Sequence, residues 1–323
     1  MKAVIVEEIG GFVIREVEPD TPAEGEALVR VSVTGLCRTD LKIIRSGHRD
    51  LVLPRIPGEE VVGTVEATGK NVAGITQGQR VYVYPGESCG ICGPCRSGAE
   101  NLCRSMKIMG FHRNGGFAEY VTVPARSLIP VPEGLSDEEA VFAEPLSCCL
   151  NALELARLSN AETICIWGGG PAGTLLQRLA LAMGVFPHVV DPDERRASLL
   201  SGTTSAPDRL FDVCVVAAGS SEAYQDAMKR LGPRGRLVVF SGLPKTGGAL
   251  PVDFNHLHYH EQTMVGAYGC SYRHGVQALD FLRNRTVPVH DLVSHRMPLS
   301  ELGRALDLVE RRDCRKIHLY PQA

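Results

Sequence analysis

An excess of charge of either sign is missing from this 323-residue chain: 34 lysines and arginines stand against 37 aspartates and glutamates, a formal net charge of −3. So even a balance gives no field for a polyanion, and no nucleic-acid partner is expected. No apolar run is long enough to span a bilayer, and no charged segment followed by an apolar one opens the chain; MKAVIVEEIG reads as a first strand. A soluble, cytoplasmic protein without membrane partners is expected. Internal repeats and low-complexity segments are also absent. A chain of this length exceeds what one ordinary core requires, so two domains are expected. Eleven cysteines without a secretory leader point to metal rather than to disulfides.

The stretch from Ile164 to Asp191, ICIWGGGPAGTLLQRLALAMGVFPHVVD, organises the chain. A short apolar run stops at Gly168, and Gly168, Gly170 and Gly173 fall at the G-x-G-x-x-G spacing. Ala172, Leu175, Leu176, Leu179, Ala180 and Met183 then recur with the period of an amphipathic helix, which Gly184 is placed to end. Val189 and Val190 form a second run that leads to Asp191. This is a βαβ unit suited to a dinucleotide: the glycines let the backbone approach a pyrophosphate, and the helix start offers N–H groups and a positive dipole. Pro171 and Ala172 complete the turn, and Arg196 joins the cofactor-binding set. Asp191 can accept from both ribose hydroxyls and would repel a 2′-phosphate, so NAD is expected, with NADP second.

Beyond Asp191 a helix over 193–200 leads through SGTTSAPDR to a strand over 211–218. That connection leaves no room for a third strand–helix unit, so the sheet should lack an edge strand and the adenine pocket part of one wall. Weaker NAD binding than in a complete fold is expected. A helix over 222–231, strands over 236–240 and 263–267, and a helix over 272–284 complete an alternation that implies a parallel sheet. His256, His258 and His260 read as part of a polar connection rather than as a metal face.

Residues 89 to 103, CGICGPCRSGAENLC, place Cys89, Cys92, Cys95 and Cys103 on one short loop. Four thiolates so spaced fit tetrahedral zinc with no position left for substrate; an iron–sulfur cluster and disulfides are the alternatives. The residues before this lobe alternate in short strands, over 2–6, 12–17, 27–34, 61–67 and 80–84, which suggests a partly closed barrel. Cys37 ends one of these strands with a hydroxyl, Thr39, two residues on, and Glu59 and Glu60 head another. Adjacent acids leading into an apolar strand need a partner, for which a cation is one candidate. Ser136 and Glu139 have the spacing of a capping box, and a helix is expected over 147–158.

The chain resembles the medium-chain zinc-dependent alcohol dehydrogenase family, in particular its polyol and threonine dehydrogenase branch. The resemblance rests on GLCRTDL at 35–41, PGEEVVGTV at 57–65, the four-cysteine lobe, GGFAEYVTVP, AEPL at 143–146, the GGGPAG turn and MPLSELGRAL with Lys316-Ile317. It implies a GroES-like, partly open β-barrel catalytic domain over 1–146, a Rossmann doubly wound parallel sheet over 147–285, and a segment over 286–323 that returns to the first domain. It further implies a homodimer or homotetramer, and a catalytic zinc in an interdomain cleft, held by Cys37, by residues of the segment that carries Glu59 and Glu60, and by or near Glu144. Thr39 matches the position that contacts the substrate oxygen and begins the proton relay.

Three positions depart from the family pattern: Glu59 replaces a histidine, Arg38 a glycine, and Lys42 a histidine that often serves as relay. A Cys/Glu/Glu shell is more anionic than Cys/His/Glu, so the metal is a poorer Lewis acid, with Lys42 as a compensating cation or relay. Arg38, Lys42, Arg45, His48, His112 and Arg113 fall in segments that resemble cleft walls and suggest a polar or anionic substrate. The expected activity is NAD-dependent oxidation of a secondary alcohol of a polyol, cyclitol, amino sugar or hydroxy amino acid, with Thr39, Lys42 and Glu60 handling the proton and Glu60 also a possible ligand. The competing readings are a metal-independent reductase or NAD-using isomerase or lyase, and a non-catalytic NAD-binding protein.

Overall fold

A computed structural model describes residues 1–243 and 248–323, which form two compact units, Met1–Glu144 with Ser271–Ala323, and Pro145–Cys270. The expected boundaries at 147 and 285 differ at the second junction. Helix Tyr272–Arg283, which continues the α/β alternation in sequence, belongs to the first unit. Packing decides its place: a Cβ at Gly275 would stand 2.7 Å from Ile129 and 3.1 Å from Tyr82, so this helix face is fitted to the barrel.

In the first unit, strand Glu26–Leu36 is the hub of a seven-stranded sheet. It pairs antiparallel with Glu60–Thr68, Tyr120–Pro124 and Lys316–Tyr320. The alternation read in the sequence is real: Ala27, Val29, Val31 and Val33 are buried, and the first three share a core with Val61, Val65 and Val81. Each of these valines contributes roughly 1.5–3 kcal/mol by leaving water. Ser136 caps Asp137–Ala140 with Glu139 reciprocating, as expected. Helix Arg38–Ser46, read in the sequence only as a motif after a strand, is an addition. It buries Leu41, Ile43 and Ile44 and begins at an unusual cap, Cys37.

His318 lies on strand Lys316–Tyr320, fully buried, its ring centroid 5.3 Å from that of Phe142. Among the described residues neither ring nitrogen has a hydrogen-bond partner. Burial, and then the Lys316 ammonium, push its pKa from the ordinary 6.5 down to about 3. The folded ring therefore stays neutral while the unfolded chain takes up a proton below pH 6.5, so stability falls as pH drops from 6.5 toward 3. His318→Leu should raise the denaturant midpoint at neutral pH by the equivalent of about 1–2 kcal/mol, because it removes unsatisfied polar atoms. It should also remove this part of the acid-side fall, which unfolding curves at pH 4.5 and 7.5 would show.

The second unit carries five parallel strands in the order His188–Val190, Ile164–Trp167, Phe211–Val216, Leu231–Val239, Thr263–Gly266. As expected, among the described residues no strand flanks His188–Val190 on its outer side. In its place is a single parallel bridge between Val190 and Thr203, in which Asp191 N–H donates to the Thr203 carbonyl at 3.1 Å and Thr203 N–H to the Val189 carbonyl at 3.0 Å. His256, His258 and the stretch between them form part of a short helix, Phe254–Tyr259; the His256 and His260 rings stack, with centroids 4.1 Å apart. Among the described residues no helix is long and apolar enough to cross a membrane.

Candidate metal and nucleotide sites

The four-cysteine lobe brings its four sulfurs together. Cys92 and Cys95 sulfurs lie 3.4 Å apart, and Cys89–Cys95 and Cys92–Cys103 3.9 Å. Tetrahedral zinc with bonds of about 2.3 Å sets its sulfurs about 3.8 Å apart, so the spacing fits the ion with little adjustment. Backbone N–H groups point at the sulfurs, from Cys89 to Cys103 at 3.2 Å and from Ser105 to Cys103 at 3.4 Å. Backbone donors at Arg104 and Cys95 lower the Cys92 thiol, while burial and the neighbouring Cys92 and Cys103 side chains raise that of Cys95.

Around Cys37 a second group of polar side chains converges inside the first unit. Strand Glu26–Leu36 delivers Cys37 to the start of helix Arg38–Ser46, where its sulfur accepts from Asp40 N–H at 3.4 Å and Asp40 Oδ2 accepts from Cys37 N–H at 2.9 Å. Thr39 is half-buried in the first turn, and Lys42, one turn later, is exposed. Glu60 stands opposite Gly35 on one neighbouring strand, and His318 stands opposite Gly35 on the other. Over Gly35, Glu60 meets Lys316, both almost wholly buried, in an ion pair. A Cβ on Gly35 would lie 1.9 Å from Glu60 Oε2 and 3.0 Å from Lys316 Cε, so only glycine leaves room for the pair.

The charges here are unequal. Burial raises the Cys37 thiol, with Asp40, Glu60 and Glu59 adding to the rise and Lys316 opposing it. Burial also lifts Asp40 to about 6. Burial works against the Lys316 ammonium, but Glu60, Cys37 and Glu144 more than offset it and hold the lysine charged. Glu60 Oε2 and Asp40 Oδ1 are buried without a hydrogen-bond partner among the described residues. One ammonium faces several carboxylates and a thiol, and acceptor atoms are left over. Cys37 is not itself within 4.8 Å of two further donors among the described residues. Glu144 lies in the first turn of helix Ala143–Leu155, its carboxylate within 4.8 Å of the Cys148 thiol one turn later.

Lys316 was read in the sequence only as part of a closing pattern. Its signal was a lysine opening an otherwise buried strand, KIHLY, a place where an unpaired ammonium is expensive. Two of the expected cleft cations are occupied elsewhere: Arg45 pairs with Asp307 at 3.3 Å, and Arg113 with Glu26 and with Glu87 at 2.9 Å. His48 packs edge-on against Phe111, and His112 Nδ1 accepts from Ile108 N–H at 3.1 Å.

In the second unit the glycine turn has the geometry the sequence implies. Gly168 has φ +113°, and a Cβ on Gly173 would lie 1.7 Å from the Gly168 carbonyl oxygen. Gly170 is the N-cap of helix Pro171–Ala182 without a side-chain cap, and Pro171 takes a first-turn position where its missing N–H is no loss. The first-turn N–H groups are thus left for a ligand. Asp191 accepts from Gly169 N–H at 2.7 Å, from Asp193 N–H at 2.9 Å and from Arg196 at 2.8 Å. Burial raises its pKa, but Arg196 and the two N–H donors outweigh burial and keep the carboxylate ionised.

Comparison with known proteins matches this architecture throughout. Residues 23–133 match the alcohol dehydrogenase GroES-like domain, and residues 149–284 the zinc-binding dehydrogenase domain. The chain is 32% identical to D-altritol 5-dehydrogenase of Agrobacterium fabrum, with 94% of each protein covered. Among solved structures it is similar to a zinc-binding dehydrogenase of Sinorhizobium meliloti bound to NADP, with a TM-score of 0.92 at 28% identity and 99% of each chain covered. It is also similar to an alcohol dehydrogenase of Escherichia coli CFT073 complexed with NADH, with a TM-score of 0.91 at 25% identity and 99% of each chain covered.

Proposed function

Because the chain belongs to the medium-chain zinc-dependent alcohol dehydrogenase family, and so is a zinc-dependent NAD(P) dehydrogenase acting on CH–OH groups, we propose that it oxidises a secondary alcohol of a polyol-like substrate, with NAD as hydride acceptor. The observation that carries the cofactor choice is Asp191, ionised and anchored at the end of its strand, where it would meet a ribose hydroxyl and repel a 2′-phosphate. Arg196 partly offsets that repulsion, so NADP is disfavoured rather than excluded. The relative that acts on D-altritol supports a polyol.

Cys37, Glu59 and Glu144 are the residues proposed to hold the catalytic zinc, with Glu60 as an exchangeable ligand. When bound, the ion supplies Lewis acidity toward the alcohol oxygen. The chain's own residues do the rest. Thr39 places a hydroxyl on the turn that carries Cys37, and Lys42, one turn on and exposed, passes the proton to solvent. Lys316 balances the carboxylate that Glu59 adds where the family has a histidine. A homodimer or homotetramer is proposed on the family's example; among the described residues the edge strand Thr263–Gly266 has no neighbour on its outer side in the sheet, and Met264 is 40% exposed there.

The test is NADH formation across polyols, aldonates and hydroxy amino acids, each with NAD and with NADP. The expected result is turnover of at least one polyol, with NAD favoured by about tenfold or more, the size of one good polar contact. Turnover of hydroxy amino acids alone would overturn the substrate class, and a preference for NADP would overturn the role given to Asp191.

A further inference from the structure

Cys148 and Cys270 lie outside the four-cysteine lobe, and Cys148 stands one turn along its helix from Glu144, a residue of the proposed zinc set. Both belong to the second unit, and their thiols lie within 4.8 Å of each other. Neither is disulfide-bonded. Their register is fixed by a neighbour: Asn151, on the same face of helix Ala143–Leu155 as Cys148, donates to the Gly269 carbonyl at 2.9 Å, one residue before Cys270. Cys148 is half-buried and reachable from solvent, whereas Cys270 is 5% exposed.

The contrast with Cys165 and Cys214 sharpens the point. Those two stand opposite each other on adjacent strands, but both are fully buried and burial pushes both thiols far up. They are inert, because the thiolate is the reactive form and no oxidant reaches them. Cys148 and Cys270 also sit where a change would matter. Cys270 follows the carboxyl end of strand Thr263–Gly266 by four residues, and Cys149, next to Cys148, contacts the Ala172 carbonyl in the first turn after the glycine motif at 3.7 Å. Dinucleotides bind outside the carboxyl ends of such strands.

We propose that Cys148 and Cys270 are a redox pair that closes to a disulfide under peroxide and weakens dinucleotide binding. The Cys148 thiol loses its proton, the thiolate attacks one peroxide oxygen, the O–O bond breaks, and the leaving hydroxide takes up that proton, so a sulfenic acid and water result. The Cys270 thiol then attacks the sulfenic sulfur and expels a second water. Two thiols and one hydrogen peroxide thus give one disulfide and two waters. Closing the sulfurs to about 2.05 Å requires the 267–270 loop to move against the helix that carries Cys148. This rests on the dinucleotide reading of the unit.

The test uses the full-length protein, reduced or treated with hydrogen peroxide, with non-reducing peptide mapping, NADH fluorescence titration and zinc content on the same samples. The expected result is a peptide linked through Cys148 and Cys270, NADH binding at least tenfold weaker, and recovery with dithiothreitol at unchanged zinc content. The linked peptide should be absent from both Cys148→Ser and Cys270→Ser, and saturating NAD should slow its formation. If Cys148 is oxidised without a link to Cys270, or the link forms and NADH binding is unchanged, the proposal is overturned. A loss of one zinc per chain in Cys148→Ser would also overturn it, by making the pair a metal site. Reduced protein that binds no NADH would instead sink the dinucleotide reading itself.

Discussion

Replacing Lys316 by methionine should lower stability by about 3–5 kcal/mol, the loss that follows when one partner of a buried ion pair is removed. Glu60 would be left 2% exposed, with its Oε1 partner gone and its Oε2 already unpartnered. The same loss should strip Cys37 of a cation that opposes the carboxylates around it. The denaturant midpoint of the first unit reads the stability, and zinc content reads the charge. Lys316→Met combined with Glu60→Leu should recover most of the stability, because the damage lies in the stranded charge rather than in lost packing. If Lys316→Met alone is as stable as the parent, the pair does not hold the charge assigned to it.

Gly173→Ala should abolish measurable NADH binding and destabilise the second unit by about 1–3 kcal/mol, in the range of overpacking. The added carbon would stand 1.7 Å from the Gly168 carbonyl oxygen, and both groups are backbone, so the turn itself must move. Gly170→Ala is the matched comparison. Its added carbon meets nothing within 4 Å, and its φ of −71° suits any residue. Stability should therefore be unchanged in Gly170→Ala, while NADH binding falls because the carbon would occupy the approach of the pyrophosphate. Equal stability loss in both variants would contradict this division between a glycine needed by the fold and one needed by the ligand.

Features written in short-range pattern were legible in the sequence. The cysteine lobe, the glycine turn, the Ser136–Glu139 cap and the missing edge strand all depend on residues within a few positions of one another. What escaped depends on distant partners. Helix Arg38–Ser46 starts at a cysteine cap, which propensity does not favour, and is short; only burial of Leu41, Ile43 and Ile44 by the first unit's core makes it form. The Lys316–Glu60 pair joins residues 256 positions apart through two strands that both flank Gly35, and no local pattern announces it. Arg45 and Arg113 looked available for substrate because their acidic partners come from elsewhere in the chain. Helix Tyr272–Arg283 has the right period for the nucleotide unit, but Gly275 is shaped to Tyr82 and Ile129.

The most direct measurement is zinc per chain by mass spectrometry on the purified protein and on Cys37→Ser. Two zinc ions falling to one in the variant is the predicted result, one held by Cys89, Cys92, Cys95 and Cys103 and one by the Cys37 set. One zinc in both proteins would leave only the four-cysteine lobe filled and contradict a catalytic metal at Cys37.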